Sequence, residues 1–182
     1  MEENARHQRL FIITPSPMSS PDLRHRIAEL LPRLRRFART VAWKPEDADD
    51  LVQMALERAL KAMDQWEEGT KLDSWLFRIM KNAWIDELRS RARRDEVLAP
   101  EEAGEHVGVS ETGSLITRLS VQAAMARLPE EQRMAVSLVL VEGLAYKEAA
   151  ETLGVPIGTL TSRLARGREA LQRLLGDGEL VR

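Results

Sequence analysis

Between Glu96 and Ser114 the chain carries five Glu, no Lys or Arg, three glycines (Gly104, Gly108, Gly113) and Pro100. A stretch so acidic and so often broken holds neither a helix nor a core, and reads as a flexible linker. That single interruption splits 182 residues into two short halves. A second one lies at 14–21, Thr-Pro-Ser-Pro-Met-Ser-Ser-Pro, where three prolines and three serines forbid a helix. The expected organisation is a flexible tail over 1–21, a domain over 22–95, the linker over 96–114 and a second domain over 115–182. No internal repeat is visible.

Both halves carry the helical period. Leu23, Ile27, Leu30, Leu31, Leu34, Phe37, Ala38 and Val41 step by three and four. Pro32 falls inside this run, so the helix kinks there or restarts with Pro32 in its first turn. Pro45-Glu46-Asp47 opens the next helix, with acids where the macrodipole favours them. Its stripe is Val52, Ala55, Leu56, Ala59, Leu60 and Met63. Gly69 breaks the chain, and Thr70 with Asp73 reads as a capping box. A third helix then runs through Trp75, Leu76, Ile79, Met80, Ala83, Trp84 and Leu88. In the second half, helices are expected near Leu115–Leu128, from Pro129 through Met134, Val136, Leu138, Val139 and Leu140 to Gly143, over about Tyr146–Leu153, and from about Pro156 to Leu175. Aromatics are only 4% of the chain and β-branched residues are sparse, which also favours helices. The fold class is all-α: two small helical domains joined by a flexible acidic linker.

Several functions are disfavoured at once. With no Cys there is no disulfide framework, thiolate metal site or cysteine nucleophile. The three histidines, His7, His25 and His106, fall in the tail, the first helix and the linker. No Gly-rich phosphate loop, metal-ligand spacing or triad is present, so no enzyme, cofactor, metal or small-molecule substrate is expected. No run approaches the ~18 apolar residues of a membrane helix. Leu10-Phe11-Ile12-Ile13 is shorter than the ~7–15 residues of a signal-peptide core. A soluble cytoplasmic protein without membrane insertion is expected. The net charge is −2, so DNA binding by bulk electrostatics is excluded, and any nucleic-acid contact must be local or assisted by a partner.

The sharpest local signal is a helix-turn-helix. In Ala149-Ala150-Glu151-Thr152-Leu153-Gly154-Val155, Ala150 permits close helix approach and Gly154 suits a left-handed turn. Val155 and Leu160 would pin the second helix on the first. That helix carries Thr159, Thr161, Ser162, Arg163, Arg166, Arg168 and Arg173. At 100° per residue, Thr159, Ser162, Arg163 and Arg166 share one side, with Leu160, Leu164, Leu171 and Leu175 largely opposite. Hydroxyls and guanidiniums suit phosphates and base edges in a major groove.

Two further features are more ambiguous. Trp75 and Trp84, nine residues apart, point to opposite faces of one helix. Either both are core, or one is exposed for stacking or for a partner. The same helix ends in Arg89, Arg91, Arg93 and Arg94, more cations than a helix terminus needs, which favours phosphate contact. Asp47, Asp49 and Asp50 fit an ordinary helix N-terminus, but that does not account for Gln53 beside them.

Asp49-Asp50-Leu51-Val52-Gln53, Ser74-Trp75-Leu76-Phe77-Arg78-Ile79-Met80-Lys81-Asn82, Asp86-Glu87-Leu88-Arg89, Leu128-Pro129-Glu130-Glu131-Gln132-Arg133 and Gly154-Val155-Pro156-Ile157-Gly158-Thr159-Leu160 together resemble the bacterial RNA polymerase sigma factors of the extracytoplasmic-function (ECF) class. Each motif is weak alone, but five in order across two domains are specific. The resemblance implies that 22–95 is sigma domain 2 and 115–182 sigma domain 4. It implies that Asp49, Asp50, Leu51, Val52 and Gln53 dock on the β′ clamp helices of core RNA polymerase. The loop Glu67–Leu72 and the following helix would read and melt the promoter −10 element, with Trp75, Lys81, Asn82, Trp84, Arg89, Arg91, Arg93 and Arg94 near the strand. Thr159, Thr161, Ser162, Arg163, Arg166 and Arg168 would read the −35 element. The linker would thread the RNA-exit path. An anti-sigma factor is the implied regulator, and a stress or envelope regulon the implied target.

Thr161 stands where many members carry a basic residue, Ala165 where many carry a large one, and Ala145 where a Ser often caps the first helix of the turn. These departures leave the −35 preference open and predict fraying at Ala145. Two other functions compete: a sigma-mimicking adaptor that sequesters an anti-sigma factor, and a simple helix-turn-helix repressor. The adaptor reading lacks a receiver domain and would tolerate loss of the arginines that are intact here. The repressor reading leaves residues 22–95 without a role and lacks a dimer seam.

Overall fold

Pro32 has no amide hydrogen and cannot continue a helix from the residues before it. The computed structural model, which describes residues 20–42, 44–97 and 121–176 and the side chains of 21–42, 44–94 and 121–176, resolves the choice as a restart. Helix α1 spans Ser20–Glu29, and α2 spans Leu31–Val41 with Pro32 in its first turn. Residues 1–19 of the tail, 98–114 of the linker, His7 and His106 lie outside the described residues, whereas Ser20 and Pro21 belong to α1 and Glu96 and Val97 to α4.

Leu34, Phe37, Ala38 and Val41 put one face of α2 into the core. Helix α3, Pro45–Lys61, begins with Pro45, Glu46 and Asp47, and buries Ala48, Leu51, Val52, Ala55 and Ala59. A 3-10 turn over Met63–Gln65 leads to α4, Leu72–Val97, which buries Leu76, Phe77, Met80, Ala83 and Trp84. Phe37 and Phe77 meet with ring centroids 5.1 Å apart and planes tilted by 53°. Burial of each ring stabilises by about 1.5–3 kcal/mol. The expected Thr70–Asp73 capping box does not form. Helix α4 starts at Leu72, one residue too late for Thr70 to cap it. The Thr70 hydroxyl instead donates to the Glu67 carbonyl at 2.7 Å, and Asp73 accepts from the Ser74 amide and from Arg33.

The second half holds a helical segment over 121–126 (α5), then α6 (Glu130–Val136), α7 (Tyr146–Leu153) and α8 (Ile157–Gly176). Helix α6 does not run on to Gly143 as an α-helix. It widens into a π turn over Ser137–Val141, closed by the Glu142 amide donating to the Ser137 carbonyl at 2.9 Å. Leu138 is buried there while Leu140, two residues on and so pointing away, is 50% exposed. Gly154 takes the left-handed conformation at φ 69°, ψ 37° and turns α7 into α8. Leu160, Leu164 and Gly167 are buried, with Gly167 against α6; Leu175, expected opposite the polar side, is 44% exposed. Among the described residues every regular element is helical.

The two halves are not beads on a string. Their buried residues form one continuous apolar cluster, from Leu23 through Trp84 to Leu164. Helix α2 packs on the π turn and α6, and α4 packs on α7.

Candidate polymerase and nucleic-acid interfaces

The period of α3 sorts its acidic segment into two faces. Asp49, Asp50 and Gln53 are exposed, whereas Leu51 and Val52 are core residues. Leu51 and Val52 therefore hold the helix in place, so of the expected five-residue docking set only Asp49, Asp50 and Gln53 lie on the exposed face. Asp50, Gln53, Met54 and Glu57 line a groove with Trp84, Glu87 and Arg91 of α4.

Arg91 sets the geometry of that groove. Its guanidinium donates to both oxygens of Asp47, at 2.8 and 2.6 Å, and its Nε donates to Glu87 at 2.8 Å. The hydrogen bond from Arg91 holds the Asp47 carboxyl below its ordinary range, against the opposing effect of burial. Glu87 is lowered first by its own hydrogen bond from Arg91. Arg91 is raised by the same partners, Asp47 foremost. In this arrangement Arg91 is a strut between α3 and α4 and does not present a free cation to phosphate. Arg94 leans on Glu87 at 3.1 Å, while Arg89 and Arg93 are exposed.

The two tryptophans part as their spacing requires. Trp84 is 2% exposed; its indole N–H donates to Glu130 Oε1 of α6 at 2.7 Å, and Arg91 lies 5.7 Å above its ring. Trp75 is half-buried in a second groove with Gln65, Lys71, Arg78 and α7 residues Glu148 and Thr152. Lys81 lies one turn from Arg78 and is lowered by burial first and by that cation second. Asn82 is exposed. Trp75, Arg78, Lys81 and Asn82 thus share one region of α4; Trp75 meets α7 of the other half, and Trp84 meets α6. Arg78 and Lys71, neither of them singled out in the sequence, line the groove beside Trp75. The i, i+4 spacing of Arg78 to Asn82 was a usable signal for the first; Lys71 sits in a loop where no period applies.

Helix α8 carries the residues expected to read DNA in two environments. Ser162, Arg166 and Arg168 are exposed, and Thr159, Thr161 and Arg163 are half-buried. The hydroxyls of Thr161 and Ser162 donate back to the carbonyls of Gly158 and Thr159, at 3.0 and 3.1 Å. Arg163 pairs with Glu131 of α6 at 2.8 Å. At the start of α7, Ala145 offers no capping oxygen, but Glu148 accepts from the Ala145 amide at 3.2 Å. One half of a capping box thus limits the expected fraying.

The paired domains, the acidic α3 face and the helix-turn-helix define a class. The Sigma-70 region 2 family matches residues 27–94, and the Sigma-70, region 4 family matches residues 118–171. The chain is a two-domain RNA polymerase sigma factor. More narrowly, it is 35% identical over 153 residues to the ECF RNA polymerase sigma factor EcfG of Rhodopseudomonas palustris, covering 84% of each chain. It is 39% identical over 144 residues to the ECF RNA polymerase sigma factor SigM of Mycobacterium tuberculosis, covering 79% of this chain and 72% of the relative. The chain belongs to the ECF RNA polymerase sigma factor family. Among solved structures it is similar to the sigma factor RpoE of Bartonella quintana in complex with the anti-sigma factor NepR. There the TM-score is 0.72 at 32% identity, with 87% of this chain and 99% of that one covered. Among the described residues no helix is long and apolar enough to cross a membrane.

Proposed function

We propose that this ECF sigma factor docks on core RNA polymerase through Asp49, Asp50 and Gln53, reads the −10 element with α4 and its preceding loop, and reads the −35 element with the exposed face of α8. In this reading residues 22–95 and 115–182 are the two functional units, acting in the cytoplasm without catalysis of their own. The observation that carries it is the pairing of two opposite surfaces on a chain of net charge −2. An exposed acidic patch on α3 suits a basic protein partner, and exposed Arg166 and Arg168 on α8 suit phosphates and base edges. Near-neutral net charge keeps free-chain DNA affinity low, so promoter choice is exercised inside the holoenzyme. The similarity to a sigma factor solved with its anti-sigma factor supports the same mode of control here. The test is in vitro transcription with purified core polymerase on genomic promoter fragments. Start sites that require this chain are the expected result; none on any fragment, with folded protein, would refute the reading.

A further inference from the structure

Trp66 closes the 3-10 turn after α3, and the loop Glu67–Leu72 starts at the next residue. Residues 67–71 are all exposed. Within the loop, the Thr70 amide and hydroxyl both donate to the Glu67 carbonyl, at 3.1 and 2.7 Å, and Gly69 takes φ 91°. These bonds shape the loop but do not fix its place on the helices. Its place is set at the flanks, where Trp66 and Leu72 are buried, while Lys71 reaches out to Glu148 of α7. Trp66 is held without a hydrogen bond: its indole N–H is buried and finds no acceptor among the described residues. Packing alone therefore sets the orientation of the ring. What covers the ring is a cation, the guanidinium of half-buried Arg26, 5.1 Å from its centroid. Arg26 is carried by α1, which the buried Leu23 and Ile27 hold in the core.

We infer that α1 clamps the loop through this stack, which makes Arg26 a positioning residue for promoter recognition. The inference rests on the assignment of the loop to −10 recognition. Arginine suits the task. Its planar, weakly hydrated cation lies well on an aromatic face and keeps its charge at any working pH. The stack joins two segments far apart in sequence, the first helix and the residue on which the loop begins. A loop held in one place presents the same groups to every promoter and loses little freedom on binding, so its choice between −10 bases is sharp. Without the stack the loop stays folded but moves, and that choice blurs.

A nitroxide label reads the clamp directly, because the chain has no native Cys to compete for it. Glu67→Cys places the label on the first, exposed residue of the loop. In the free full-length protein, Arg26→Gln should raise the mobility of the label, and Arg26→Lys should restore most of the wild-type spectrum. Arg24→Gln, the same change of charge at an exposed position of α1, should leave the spectrum unchanged. Transcription by the holoenzyme, with unlabelled protein, then reads the consequence on a promoter this chain serves and on single-base variants of its −10 element. Arg26→Gln should reduce discrimination between them about two- to fivefold, the equivalent of the ~0.5–1 kcal/mol of a cation–π pair. Co-elution with core polymerase should not change. In a Trp66→Leu background Arg26→Gln should have no further effect, because the pair is already broken. If Trp66→Leu loses helical circular dichroism, Arg26→Gln set against Arg26→Lys decides alone. Unchanged mobility in Arg26→Gln, or an equal further loss of discrimination in the Trp66→Leu background, would overturn the clamp. Raised mobility with unchanged discrimination would overturn its part in promoter recognition. The label needs no polymerase, so failure of the sigma reading itself would show separately, as no dependence of transcription on this chain.

Discussion

Gly167 lies where α8 crosses α6, between the exposed Arg166 and Arg168. A Cβ built there would sit 2.8 Å from Val136 Cγ2 and 3.4 Å from both the Cβ and the carbonyl oxygen of Gln132. Val136 is buried, and its branched side chain has one strongly preferred rotamer in a helix, so it cannot swing away. Gly167→Ala therefore sets two effects against each other. Helix propensity favours Ala by about 1 kcal/mol. Overpacking a close-packed crossing costs about 1–3 kcal/mol. The net expectation is destabilisation of up to about 2 kcal/mol, or up to about 4–8 °C in Tm for a chain of this size. Gly158→Ala is the control: nothing lies within 4 Å of its Cβ, so propensity acts alone. That variant should be unchanged or more stable by up to about 1 kcal/mol. Urea unfolding followed by circular dichroism measures both. If the two alanines are equally stabilising, the α6–α8 crossing is looser than described, and the account of how α8 is held fails.

Three other perturbations address separate parts of the molecule. Asp47→Asn should cost about 1–2 kcal/mol at pH 7, since a half-exposed strut retains only part of a charge-assisted bond. Because Arg91 depresses the folded pKa of Asp47 below its ordinary 3.8, this stabilisation is complete above that value and is lost as pH falls through the folded pKa. Urea midpoints from pH 7 down to pH 2 should thus show a steeper acid loss for wild type than for Asp47→Asn, and parallel profiles would contradict the strut. Gly154→Ala places a Cβ at φ +69° and should cost about 1–2 kcal/mol in thermal unfolding, whereas an unchanged Tm would mean that the turn is not held left-handed. Arg166→Ala should weaken promoter use by the holoenzyme by about 1–3 kcal/mol if the side chain reads a base, or reduce the salt slope of binding by about 1 if it meets a phosphate; identical transcription and salt slope would remove α8 from the −35 contact.

The sequence carried the helices, the turn at Gly154 and the basic face of α8 because each is set within one element. Apolar spacing names the buried side of a helix, and Leu34, Phe37, Ala55, Leu160 and Leu164 are buried as it requires. What lies across from a face is not encoded in its period. Trp84 and Arg91 therefore looked like DNA ligands, yet one is capped by Glu130 and the other bound to Asp47. Leu140 lies in the apolar run expected for that helix, yet it is 50% exposed, and the widening over Ser137–Val141 has no signal in the spacing. Glu142 was invisible for the same reason: a lone Glu after an apolar run reads as a helix end, and only the neighbouring domain reveals it as buried. Leu51 and Val52 show the converse. Their motif pointed to a partner surface, while their place on α3 puts them in the core.

The central claim is that the exposed acids of α3 bring this chain to RNA polymerase. Asp49 and Asp50 are exposed, so replacing both with Ala should leave unfolding unchanged while weakening association. The most direct measurement is co-elution of the full-length chain with purified core polymerase in size-exclusion chromatography, wild type beside Asp49→Ala/Asp50→Ala. The account predicts that wild type migrates with the enzyme and the double variant, equally folded, elutes mostly free. Wild type eluting free, or both proteins co-eluting alike, would contradict it.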